Sequence, residues 1–124
     1  MKKYILILAS VLLLLPWNAL ADFLHPMDFD GSESHKKRVV QIIRKRVEKD
    51  YCKSGLDMCQ QTTLRMMERE NLDCFKKATQ ATNRAIMDRV IKDYCNSGLD
   101  MCNYSTIWMM YKENLAASKK SLEW

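Results

Sequence analysis

The sequence predicts an all-α protein, two tandem disulfide-clasped helical hairpins (four helices, one internal duplication) that follow a cleaved signal peptide. Three observations lead there. The run Lys49-Asp50-Tyr51-Cys52-x-Ser54-Gly55-Leu56-Asp57-Met58-Cys59 returns 43 residues on as Lys92-Asp93-Tyr94-Cys95-x-Ser97-Gly98-Leu99-Asp100-Met101-Cys102. Between Ile43 and Leu72, 19 of 30 positions match their partners in that register, so the chain holds two copies of one supersecondary unit. Apolar residues flanking the run recur at helical spacing, and no stretch of useful length alternates polar and apolar.

The first segment reads as a leader. Met1-Lys2-Lys3-Tyr4 is a short basic start, and Ile5 to Leu15 is apolar apart from Ser10. Pro16 breaks the run, and Ala19-Leu20-Ala21 places small residues at the two positions a signal peptidase reads. The apolar run is about 11 residues, against the roughly 20 a bilayer-spanning helix needs. Residues 1–21 are therefore expected to leave, with no transmembrane segment afterwards. No cysteine stands there to carry a lipid. The expected location is the bacterial periplasm, otherwise the extracellular medium.

Residues 22–32, with Pro26 and Gly31, read as a flexible lead-in. Residues 33–124 form the helical domain, its repeats at about 33–75 and 76–124. In the first copy Val39, Ile43 and Val47 step by four toward Tyr51; Ile86, Val90 and Tyr94 do so in the second. Helix one is expected over about 33–53. Gly55 and Gly98 suit the left-handed residue past a helix end, with Leu56 packing back on Tyr51. Asp57 is expected to cap helix two, with Gln60 (Asn103 in copy two) three residues on. Helix two then runs from about Met58 to Leu72 with Leu64, Met67 and Asn71. Helix three ends near Asn96, and helix four spans about Met101 to Lys119 with Ile107, Met110 and Asn114. From Glu68 to Arg84 there is neither Gly nor Pro. A break there, capped by Asp73 or Thr79, is needed for the second hairpin to fold back; the alternative is one long rod.

All five cysteines follow the leader. In an oxidising compartment they are expected to pair and to staple a small core. Cys52 with Cys59, and Cys95 with Cys102, each bracket a tight turn across a hairpin neck. Cross-pairing of Cys52 with Cys102 and Cys59 with Cys95 also respects the duplication. Cys74 is the odd thiol, either buried or joined to a second chain in a homodimer. Six intervening residues fit neither a redox motif nor a zinc knuckle.

Charge narrows the partners. The chain has 20 basic and 15 acidic residues. Lys2 and Lys3 leave with the leader and no acid does, lowering the formal charge from +5 to +3. Helix one concentrates it in Lys36, Lys37, Arg38, Arg44, Lys45 and Arg46, either a solvated face or an anion-docking surface. Tyr104, Trp108 and Tyr111 recur at helical spacing on helix four and form a second candidate binding surface. Met66, Met67, Met109 and Met110 read as core filler or as soft ligands for copper(I).

No catalytic constellation can be assembled. The only histidines, His25 and His35, lie in or beside the lead-in, and no Gly-rich phosphate loop exists. No cofactor is expected, and nucleic acid is not a partner outside the cytoplasm. The expected function is a small exported non-catalytic binding protein, acting on another protein or an anionic envelope surface as inhibitor, immunity protein, adaptor or chaperone-like factor. The alternative is a periplasmic copper or soft-metal handling protein using Met and Cys ligands.

Overall fold

The structure, a computed structural model, describes residues 23–53, 55 and 57–124. The leader expected over 1–21 and the packing expected of Leu56 lie outside the described residues. Four helices follow in order: α1 (Glu33–Cys52), α2 (Gln61–Ala78), α3 (Arg84–Cys95) and α4 (Tyr104–Ala117), with no strand among the described residues. α1 packs on α2 and α3 on α4, and the two hairpins meet through their second helices, α2 against α4.

Each hairpin is closed where the repeats place their cysteines. Cys52–Cys59 and Cys95–Cys102 are disulfides, with Cα atoms 4.6 and 4.5 Å apart. Gly55 and Gly98 hold the left-handed backbone the turns need, at φ 78° and 82°. The caps differ from expectation. Helix two starts at Gln61 and helix four at Tyr104, so Cys59 and Cys102 stand in the turn before each helix. Asn103 caps α4, its side chain accepting from the Thr106 amide at 2.8 Å. Asp100 is drawn away instead to Arg46 and Lys49 of α1. Gln60 stands at the cap of α2 without a side-chain hydrogen bond.

The α2–α3 break is real but is built otherwise than expected. α2 continues six residues past Leu72, enclosing Asp73, and Thr79 ends it, donating its hydroxyl to the Lys76 carbonyl at 2.6 Å. The Asn83 side chain caps α3 by accepting from the Ile86 amide at 3.0 Å. One polar side chain at each helix end, with the amides of Thr79, Gln80 and Ala81 turning back onto the last carbonyls of α2, makes the break without glycine.

Two apolar clusters form the core. Val39, Ile43 and Val47 of α1 and Leu64 and Phe75 of α2 join Leu24 and Tyr104 in the first. Met87, Val90, Ala78, Ile107 and Tyr111 make the second. Among the described residues Asn71 is the one buried polar residue of the core. It donates to the Met67 carbonyl at 2.9 Å and accepts from the Ser105 amide, so it caps α4 from outside.

The lead-in from Phe23 packs against the helices. Leu24 and Pro26 are buried, and Pro26–Asp28 is a 3-10 turn lying on α2. Phe29 meets Phe75 edge to face at 5.3 Å, and Phe23 lies 5.3 Å from the Tyr104 ring. The aromatic residues Phe23 and Phe29, read as linker, bury enough surface to hold the segment down.

Candidate functional site

The basic residues of α1 do not form one uniform face. Arg46 is mostly buried and structural: it bonds Asp50 at 3.0 Å and the Asp100 carboxylate at 2.9 Å, and it donates to the Asp100 carbonyl at 2.6 Å. With Lys49 it holds the Asp100 carboxyl below its ordinary pKa of 3.8, the Lys49 hydrogen bond being the larger cause. Arg38 donates to the Phe23 carbonyl at 3.2 Å and so serves the lead-in. Lys36 pairs with Glu33 at 2.9 Å. Lys45 has a partner within the chain. Lys37 and Arg44 are exposed with no partner among the described residues.

The aromatic surface expected on α4 is mostly core. Tyr104 and Tyr111 are each 2 % exposed. The Tyr104 hydroxyl donates to the Leu24 carbonyl at 2.9 Å and accepts from its amide at 3.2 Å. Burial drives its pKa well above the ordinary tyrosine value. The Tyr111 hydroxyl accepts from the amides of Thr82 and Asn83 in the α2–α3 link. Trp108 alone is partly exposed, stacked on Tyr111 with Lys112 over its ring at 5.6 Å. Both tyrosines turn inward, Tyr104 into the first cluster and Tyr111 into the second.

The methionines divide as well. Met66 and Met109 are exposed, whereas Met67 packs on the first cluster and Met110 on the second. Among the described residues no group of three or more His, Cys, Asp or Glu is placed to hold a metal ion. Four of the five cysteines are oxidised and Cys74 is half-buried. Its thiol pKa is pushed up by burial, and next by the nearby Glu70. It lines a shallow depression with Met66, Asp73 and Lys77.

The concave feature that sequence reasoning missed is a groove between α1 and α2. Val40, Ile43 and Leu72 supply apolar lining, and Arg44, Arg65 and Arg69 flank it with Glu68, around about 370 Å³. It adjoins a second depression of about 510 Å³ that shares Arg44, Arg65 and Glu68 and reaches Glu48 and the Cys52–Cys59 clasp. Arg65 is paired with Glu68. Arg44 and Arg69 have no partner among the described residues. Of the groove's lining, the basic run of α1 points to Arg44, and the mismatches between the two repeats mark Arg65 and Glu68.

No helix among the described residues is long and apolar enough to cross a membrane. Comparison of the chain with protein-family models, curated proteins and solved structures finds no match.

Proposed function

We propose that this chain is a small exported binding protein, non-catalytic, which acts by docking on another protein of the bacterial envelope as an inhibitor, immunity protein, adaptor or chaperone-like factor. The observation that carries this reading is the unspent charge of the first hairpin. Arg44 and Arg69 flank an apolar groove whose one lining acid, Glu68, is paired with Arg65, and Lys37 lies one helical heptad from Arg44. A guanidinium beside apolar surface is well suited to interfaces, because it is weakly hydrated and can take a carboxylate in a two-pronged bond. The two disulfides and the leader-like start support export.

Affinity capture from an envelope extract tests the reading. A partner should be retained at low salt and released as salt rises, because exposed charge pairs are screened within about 8 Å at physiological ionic strength. Failure to enrich any protein, with a turnover activity found instead, would overturn it.

A further inference from the structure

The duplication supplies an internal reference for the groove. Eleven of the 30 positions from Ile43 to Leu72 differ between the copies. Five of them exchange a charged or amide side chain in the first copy for a large apolar or aromatic one in the second. They are Arg44 for Met87, Glu48 for Ile91, Gln61 for Tyr104, Arg65 for Trp108, and Glu68 for Tyr111. No exchange runs the other way. All five first-copy members line the groove or its adjoining depression.

In the second hairpin, Met87 and Tyr111 are buried in the second core cluster, with Ile91 and Trp108 packed against it. At these four positions the second hairpin fills with its own side chains the space that the first leaves open, while Tyr104 is buried in the first cluster. The shared inner layer is kept: Val47 and Leu64 are buried, as are their counterparts Val90 and Ile107. The charged layer is thus not needed to fold a hairpin of this type, since its twin folds with apolar residues there.

We infer that the α1–α2 groove receives one acidic amphipathic helix of a protein partner, with apolar side chains against Val40, Ile43 and Leu72 and carboxylates opposite Arg44 and Arg69. This rests on the reading of the chain as a protein-binding factor and names its docking surface. From Val40 to Cys52, α1 rises about 18 Å at 1.5 Å per residue, which matches about three turns of a docked helix. Such a helix presents apolar anchors at i, i+3 or i+4, and i+7. The mixed rim selects against a uniformly anionic bilayer. Glu48 and Glu68 stand among the arginines and would repel a continuous negative surface, while discrete carboxylates can each meet one arginine.

The test is a phage-displayed library of helical peptides panned on the oxidised protein, with the Arg44→Glu/Arg69→Glu double variant as counter-target. Enriched peptides should combine the helical apolar repeat with excess Asp and Glu. A synthesised representative should bind at least about tenfold more weakly to the double variant. Both substitutions lie on exposed side chains and should leave the helical circular dichroism unchanged. A second variant, Arg44→Met/Glu48→Ile/Arg65→Trp/Glu68→Tyr, transplants the second hairpin's residues and should lose the peptide while still melting cooperatively. Enrichment of basic or non-periodic peptides, or binding unmoved by either variant, overturns the assignment. So does co-sedimentation with phosphatidylglycerol vesicles that the double variant abolishes, because the groove would then be a lipid site. A partner captured from envelope extract equally by the parent and the double variant sinks the groove alone; no captured partner sinks the underlying reading.

Discussion

Tyr104 and Tyr111 each spend a phenol on backbone that no helix satisfies. Tyr104 bonds both the amide and the carbonyl of Leu24, 80 residues away in sequence. Tyr111 takes the amides of Thr82 and Asn83. Tyr104→Phe keeps the ring against Phe23 and Phe75 but strands two polar groups of a residue that is 6 % exposed. The expected loss is about 1–3 kcal/mol, measured as a shift in the urea midpoint with the slope unchanged. No sequence pattern reveals these bonds, because a tyrosine at helical spacing looks the same whether its hydroxyl meets water or a distant carbonyl. Arg46 is a similar case. In the basic run it is one charge of six; in the fold it locks α1 to the turn of the other hairpin through Asp100.

At the level of the hairpin, each clasp closes an exposed turn, and only the second turn is also tied to another helix, through Asp100. Gly98, Leu99, Asp100 and Met101 are all exposed, and so are Asp57, Met58 and Cys59 in the first copy. Reducing a loop this short is expected to cost about 2.5 kcal/mol in the chain-entropy model. Cys52→Ser/Cys59→Ser and Cys95→Ser/Cys102→Ser should each lower stability by about that amount, measured by chemical denaturation of oxidised protein. These elements were the most legible part of the chain. Tyr51-Cys52 and its twin mark a helix end, Gly55 and Gly98 mark the turn, and the repeat shows both to be one device. What escaped was the start of the following helix, because Asp57 and Asp100 are good caps by residue type. Asp100 is taken by Arg46 and Lys49, and no local pattern reveals a partner more than 50 residues away. The groove was legible in principle, since the repeat mismatches cluster on it. Only the packed second hairpin shows that those mismatches face one space.

Across the whole molecule, the segment from Phe23 to Asp30 binds the two hairpins into one body. Arg38 of α1 reaches the Phe23 carbonyl, Phe75 of α2 meets Phe29, and Tyr104 of α4 holds Leu24. Two further bonds reach α3. The Met27 amide donates to His25 Nδ1 at 3.0 Å, so Nε2 carries the hydrogen that meets Asp88 at 2.7 Å. Arg84 pairs with Asp28 at 2.8 Å and holds its carboxyl below the ordinary value; Ser32 does the same for Asp30. With Asp100 these acids are more acidic folded than unfolded, so the unfolded chain binds more protons in acid. Their contribution is complete above about pH 4 and is lost as pH falls through the folded values. Stability measured from pH 6 to pH 2 should be level at first and then decline. In Asp28→Asn/Asp100→Asn the plateau should be lower and the acid slope shallower. An unchanged slope would mean that other carboxylates govern acid unfolding.

The hold of Tyr104 on Leu24 also sets an order of events. A chain made or threaded from its amino end delivers Phe23 and Leu24 before any of the four helices. The ring that receives them arrives 80 residues later, at the start of α4. Until then Phe23 lacks its ring partner, although Phe29 can already meet Phe75, while each clasped hairpin can form from neighbours alone. The last contact to close is therefore made by some of the first residues to appear, and contacts so distant in sequence are slow to form. Both hairpins are expected to close before Tyr104 takes up Leu24 and the Phe23 ring beside it.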